Sequence, residues 1–206
     1  MRAQQFAMAV VAVAGLFVSA CGTDGGSRDQ PSAGSLAAAV PSGVAPSVPQ
    51  FGGGCAAVPA DPANSGSFEA MANKPVAAAI SGNAGLSSLA DALRRAGLVD
   101  SWNAATALTV FAPTNRAFAA MPKALRRNLL ADKKSLTRVL SYLVVAKRLS
   151  PPEVVGTHRT SQGGSVTVVA QGDALTVDGT SAVVCGNVAT RNATVYIVDG
   201  VLMPKR

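Results

Sequence analysis

A change of character at Cys55 limits what this chain can fold into. Between Gly22 and Gly54 the residues are mostly Gly, Ser, Pro, Ala and Val, interrupted at Pro31, Pro41, Pro46 and Pro49. Such a stretch carries too little apolar volume to offset the entropy of ordering its backbone, so it reads as a flexible tether, residues 21–54. Its Ser, Thr and Pro content is also the composition that takes O-linked sugar. Periodic apolar patterns then run from Cys55 to Arg206, about 150 residues without an internal repeat, enough for one domain with a real core.

Ahead of the tether, Arg2 precedes an apolar run from Phe6 to Val18. A bilayer crossing needs ~20 apolar residues, and this run is shorter, so residues 1–20 read as a secretory signal peptide. The residues Val18-Ser19-Ala20-Cys21-Gly22 resemble the lipobox of bacterial lipoproteins. That resemblance implies a diacylglycerol on the Cys21 sulfur, cleavage before Cys21 and acylation of the new N-terminus. The other reading is ordinary cleavage after Ala20, with Cys21 an incidental thiol. Two acyl chains bury many CH₂ groups at ~0.8 kcal/mol each, which holds a lipidated protein on its bilayer. The expected location is therefore outside the cytoplasm, lipid-anchored to the cell membrane and facing the cell wall or extracellular side.

The cysteine count supports the same assignment. Three cysteines, Cys21, Cys55 and Cys185, are an odd number for an exported chain and would leave one thiol loose. A lipid on Cys21 leaves a pair, and Cys55 and Cys185 are expected to oxidise outside the cytoplasm. In the chain-entropy picture, closing a loop of more than about a hundred residues stabilises by at most ~5 kcal/mol. Two cysteines and the single histidine, His158, do not make a zinc set, and no metal or cofactor is expected.

Within the domain, Leu86, Leu89, Ala90, Leu93 and Ala96 fall at helical spacing and Gly97 follows as a terminator. Thr109 to Phe111 predicts a short strand that Pro113 stops, after which Thr114 caps a helix holding Phe118. Pro122 opens a further helix with Leu125 and Leu129 on one side. Asp132 restarts it, with Leu136, Val139, Leu140 and Leu143 as the buried stripe. Ser150-Pro151-Pro152-Glu153 reads as a capping box around one turn. Strands are expected around Val166 and Val168, around Leu175 and Val177 before the Asp178-Gly179 turn, and from Val183 into Cys185. A last pair is expected at Thr194–Val198 and Val201–Met203, broken at Asp199-Gly200. Helices first and strands later is the signature of an α+β fold, with a helical layer against a sheet or sandwich.

Two segments carry a family resemblance. Thr109-Val110-Phe111-Ala112-Pro113-Thr114-Asn115-Arg116-Ala117-Phe118 resembles the first signature of fasciclin domains, and Ala193 through Pro204, with Tyr196-Ile197-Val198-Asp199-Gly200 at its centre, resembles the second. With the Leu-rich helices between them, the resemblance covers nearly all of residues 55–206. It implies a β-sandwich or wedge-shaped sheet packed with a layer of short helices. The lipobox and tether are similar to those of fasciclin-type surface lipoprotein antigens of mycobacteria, whose paired cysteines also stand near the two ends of the domain. Physically both signatures are core and turn residues that hold a fold. The resemblance implies adhesion or extracellular binding. Several members bind integrins through a Tyr-His pair flanked by branched apolar residues. The matching place here is Tyr142-Leu143-Val144-Val145, with Leu143 where the histidine stands.

Catalytic chemistry finds little support. His158 stands in Gly156-Thr157-His158-Arg159, read as a loop, and the sequence contains no Gly-x-Ser-x-Gly elbow, phosphate-loop motif or Cys-x-x-Cys pair. A non-enzymatic protein is expected. Asn192-Ala193-Thr194 fits the N-glycosylation pattern, which matters only in a eukaryotic secretory route.

Charge says more. The full chain is +7 at neutral pH, and from Arg94 to Arg148 eleven Lys and Arg face only Asp100 and Asp132. Arg126, Arg127, Lys133, Lys134 and Arg138 are the expected binding residues of this basic helical side. Nucleic acid is a poor partner outside the cell. The expected partners are an anionic glycan, a wall polymer or a host surface protein, besides the bilayer reached through Cys21. The alternative function is carriage of an apolar envelope ligand, such as a lipid, between helices and sheet.

Overall fold

Close backbone approach decides how the chain enters the fold. In the computed structural model, which describes residues 49–204, Phe51 pairs with Gly186 through two backbone hydrogen bonds of 3.3 and 2.8 Å. The Phe51 ring lies over Gly186 where a Cβ would stand, so a larger residue there would displace the ring. A 3₁₀ turn, Gly53–Ala57, follows, and Cys55 within it is disulfide-bonded to Cys185.

Four short helices come next: α1 (Phe68–Ala72), α2 (Val76–Gly82), α3 (Ser87–Ala96) and α4 (Val99–Ala104). The apolar stripe read in the sequence is the buried face of α3, and Gly97 ends that helix in the left-handed region at φ 72°. Sequence patterning did not resolve α1, α2 and α4, whose segments of five to seven residues are too short to show a helical period. The first strand, β1 (Leu108–Pro113), is buried along its whole length. Thr114 then caps α5 (Asn115–Ala120) by accepting from the Ala117 N–H at 3.1 Å.

Two more helices complete the layer, α6 (Lys123–Ala131) and α7 (Lys133–Tyr142). Asp132 separates them and caps α7, accepting from the N–H groups of Lys134 and Ser135 at 3.1 Å. Only Leu129 of the expected α6 pair is buried; Leu125 is 43% exposed. The short strand β2 (Val144–Val145) leads to α8 (Pro151–Val154), where the Ser150 N–H donates to the Glu153 carboxylate at 3.0 Å.

The remaining strands are β3 (Gly156–Arg159), β4 (Ser165–Gln171), β5 (Ala174–Val177), β6 (Ser181–Ala189) and β7 (Ala193–Val198). His158 therefore sits in a strand rather than a loop. Val201–Met203 forms no strand, because β7 already has partners on both edges and the chain leaves the sheet after Asp199.

The strands make one seven-stranded sheet in the order β2-β1-β7-β6-β5-β4-β3. Only β1 and β7 run parallel; the other neighbours are antiparallel. The two outer edges meet, since Val145 bridges Thr160 and the Ser161 N–H donates to the Val144 carbonyl at 2.7 Å. Such closure leaves little free strand edge. The fold is α+β, a mixed wedge-like sheet packed with a layer of short helices, as the sequence resemblance implied.

Candidate binding site

The basic face separates into parts with different roles. Arg95 on α3 and Lys123, Arg126 and Arg127 on α6 line one cleft of about 520 Å³, with Leu130 in its wall. An adjoining cleft of about 250 Å³ shares Arg95, Arg126 and Leu130 and extends to Asn115 and Phe118. Arg126 is half-buried, and its Nη1 donates to the Phe118 carbonyl at 3.2 Å, which fixes the guanidinium at the junction. The neighbouring carboxylate, Asp91, pairs with Arg94 instead. Arg95, Lys123 and Arg127 have no side-chain partner among the described residues.

The other cations are dispersed. Lys133 and Lys134 are exposed in the first turn of α7. Arg138, further along α7, lines a separate depression beside Leu125 and Met203. Asp132, one of the two acids in the basic stretch, has its carboxyl held below the usual value, chiefly by the hydrogen bond to the Ser135 side chain and then by the Ser135 and Lys134 N–H groups. It stays ionised as a cap. Arg148 belongs to the architecture: it donates to Thr194 Oγ1 at 3.2 Å and to the carbonyls of Ala193, at 2.6 Å, and Thr190. Lys147 lies 3.5 Å from Glu153.

Tyr142 and Leu143 are core residues, 1% and 0% exposed. The Tyr142 hydroxyl lies 2.8 Å from both the Ser165 carbonyl and the Asp178 carboxylate, and burial followed by Asp178 pushes its pKa up. His158 is half-buried, with Nε2 2.9 Å from the Val154 carbonyl. Cys21 lies outside the described residues. No group of three His, Cys, Asp or Glu side chains among the described residues is placed to hold a metal. None of the described helices is long and apolar enough to cross a membrane.

A further concavity, about 530 Å³, lies between the Gly53–Ala57 turn, α5 and the β6–β7 strands. Its wall includes Leu86, Val184 and Ile197, with Arg116 and Asp199 as its charged residues. The Asp199 carboxylate accepts from the Ala182 N–H at 2.7 Å, so the acid in the second signature ties the end of β7 to β6.

Two residues with structural roles and one that lines the basic cleft escaped the sequence reading. Asn192 is 8% exposed and bonds the start of α2 and the end of α4, leaving no room for the sugar its tripeptide suggests. Buried Thr109 donates to the Lys147 carbonyl at 2.7 Å and accepts from the Leu149 N–H at 2.9 Å. Arg95 was visible only as part of a charge surplus, since nothing in its spacing from Arg126 shows that α3 and α6 line one cleft.

This sheet and helical layer define a fasciclin-type fold. The fasciclin domain family model matches residues 84–204, and the chain belongs to that family. It is 46% identical to immunogenic protein MPB70 of Mycobacterium bovis over 74% of this chain and 81% of that one. It is 44% identical to the cell surface glycolipoprotein MPT83 of Mycobacterium tuberculosis over 77% of this chain and 74% of that one. Among solved structures it resembles a FAS1 domain pair from the insect cell adhesion molecule fasciclin I, with TM-score 0.57 and 12% identity over 65% of this chain. The match spans about half, 52%, of that chain.

Proposed function

We propose that this protein is an exported surface lipoprotein, anchored by a lipid on Cys21, whose fasciclin domain is a non-catalytic adhesion or binding module. Family membership, together with relatives named as immunogenic and cell-surface proteins, supports the surface and binding parts of this reading. The lipobox residues support the anchor. In this reading residues 21–54 give the tether, except that its last residues, from Phe51 on, are held to the domain by the Phe51–Gly186 pairing and the Gly53–Ala57 turn.

The proposed partner is an anionic glycan or wall polymer bound across the basic helices. The carrying observation is the cleft of Arg95, Lys123, Arg126 and Arg127, where Arg126 is held in place and Asp91, the acid lining the adjoining cleft, is paired with Arg94. Cations gathered in a concave wall retain more of their field than scattered surface charges. A repeating polyanion can follow such a cleft and contact several of them at once.

The binding test uses full-length protein on an immobilised sulfated glycan, with anionic and neutral liposomes in parallel. Glycan binding is expected to weaken steeply as salt rises toward about 0.3 M, where screening shortens to a few ångströms. It should fall at least ten-fold in the double variant Arg126→Ser/Arg127→Ser. Glycan binding indifferent to both changes would overturn the electrostatic reading, while selective binding to anionic liposomes alone would reassign the face to lipid head groups. The anchor is tested separately: Cys21→Ser should release the protein from the membrane fraction and abolish labelling by a tagged fatty acid. Retention and labelling in that variant would sink the anchor.

A further inference from the structure

The groove on the disulfide side of the domain has an apolar lining that the basic cleft does not share. One wall is the Gly53–Ala57 turn, which Cys55–Cys185 and the Phe51–Gly186 pairing fix to β6. The turn is seated directly on that strand, since a Cβ at Gly54 would stand 2.9 Å from the Val184 side chain and carbonyl. Leu86 and Ile197 are almost fully buried at the lining, and Ala120, at the end of α5, is an exposed residue of the same lining.

Only Asn83, Thr114, Arg116 and Asp199 bring polar side chains to the groove, and most of that capacity is engaged. Asn83 donates to the Gly66 carbonyl and accepts from the Gly85 N–H. Asp199 accepts from Ala182 N–H, and Thr114 accepts from Ala117 N–H while keeping its hydroxyl proton to donate. Arg116 is exposed and has neither an ion pair nor a side-chain hydrogen bond among the described residues.

These features select among occupants. A peptide laid in the groove would bring an N–H and a C=O for every residue, and burying those without partners is costly. The strands in the wall offer little for them: β7 is paired on both sides by β1 and β6, and on β6, past the β5 pairing that ends at Ala182, the Val184 carbonyl is covered by Gly52 and Gly54. An alkyl chain has nothing to satisfy and gains from every apolar area it covers. The volume, about 530 Å³, falls within the ~300–1,000 Å³ common for small-molecule sites. The unpaired Arg116 and the Thr114 hydroxyl are the groove's groups for a negative head, since the Asp199 carboxylate on the same lining is already engaged by the Ala182 N–H.

We propose that this groove binds the acyl chain of a single-chain amphiphile with an anionic head, the chain lying against Leu86, Val184 and Ile197 and the head on Arg116. The site is distinct from the cationic cleft and does not rest on it.

The test uses the full-length chain carrying Cys21→Ser, so that no acyl group comes from the protein itself. It is titrated with a fluorescent fatty acid and with the matching neutral alcohol. Saturable one-to-one binding of the acid is expected. Ala120→Trp, an exposed position whose enlarged side chain fills the groove, should weaken both probes at least ten-fold with an unchanged circular dichroism spectrum. Arg116→Gln should weaken the acid several-fold and leave the alcohol nearly unaffected, whereas Arg126→Ser/Arg127→Ser should change neither. Displacement of the probe by unlabelled fatty acid or by a lysophosphatidate supports the site and names the head group as carboxylate or phosphate. Displacement by neither, an absence of saturable binding, or binding that survives both Ala120→Trp and Arg116→Gln would overturn it. A dimer that Ala120→Trp disrupts, with no probe bound, would assign the groove to a second copy and also overturn it.

Discussion

Asn192 joins three backbone segments through one amide. Its Oδ1 accepts from the Val76 N–H at 2.9 Å, while Nδ2 donates to the Trp102 and Ala105 carbonyls, both at 2.8 Å. Asn192→Ala would strand buried groups that cost ~1–3 kcal/mol each when unsatisfied, so a loss of about 3 kcal/mol is expected in denaturant unfolding. Asn192→Asp keeps the acceptor and loses the donors, and should be damaging too. A loss under about 1 kcal/mol for both variants would mean that the neighbouring groups find other partners. None of this was legible in the sequence, because hydrogen bonds from residue 192 to residues 76 and 102 depend on how distant elements meet. The apolar positions of α3 and the Thr114 cap were legible, because spacing and side-chain chemistry decide them locally. The buried Tyr142-Leu143 pair shows the limit: a motif position can be aligned with a family contact while the fold keeps both side chains inside.

At the scale of elements, the clearest sequence signals were caps and turns, and α7 shows what such a signal contributes. Asp132 accepts two backbone N–H groups at the start of α7 and its pKa is lowered. A carboxylate with a folded pKa below its unfolded value adds stability above the unfolded pKa, and that stability drains away as pH falls through the folded one. The wild type is thus expected to lose stability on acidification more than Asp132→Asn, which cannot ionise but can still cap. Equal acid sensitivity in equilibrium unfolding would remove Asp132 from the acid response. The disulfide works across elements instead, pinning the Gly53–Ala57 turn to β6 over a sequence separation of 130 residues. Cys55→Ala/Cys185→Ala should lower stability by a few kcal/mol, with ~5 as the chain-entropy ceiling for so long a loop. Thermal unfolding of the double variant beside the oxidised protein would check this. Cysteine counting found that pair, whereas α1, α2 and α4 escaped because five to seven residues are too few turns of helix to define a period.

The whole molecule depends on a pairing that no local pattern reveals. β1 and β7, the first and last strands among the described residues, lie parallel in continuous register from Leu108 with Ala193 to Pro113 with Val198. Both are buried along their length, so their sequences read as apolar runs rather than alternations, and such runs carry no information about direction or neighbour. The helical layer depends on the same strand, because Asn192, immediately before β7, holds α2 and α4. Removing β7 should therefore affect both layers. Ending the chain after Arg191 is expected to abolish cooperative unfolding and shift the emission of Trp102, the single tryptophan, towards that of a solvent-exposed indole. In the intact oxidised protein, Trp102 fluorescence reports the helical layer and far-ultraviolet circular dichroism reports helices and sheet together. Their denaturation midpoints should coincide if β7 couples the layers into one cooperative unit. Separate midpoints, or native-like Trp102 emission after β7 is removed, would show instead that the helices fold without the strand that the second family signature encodes.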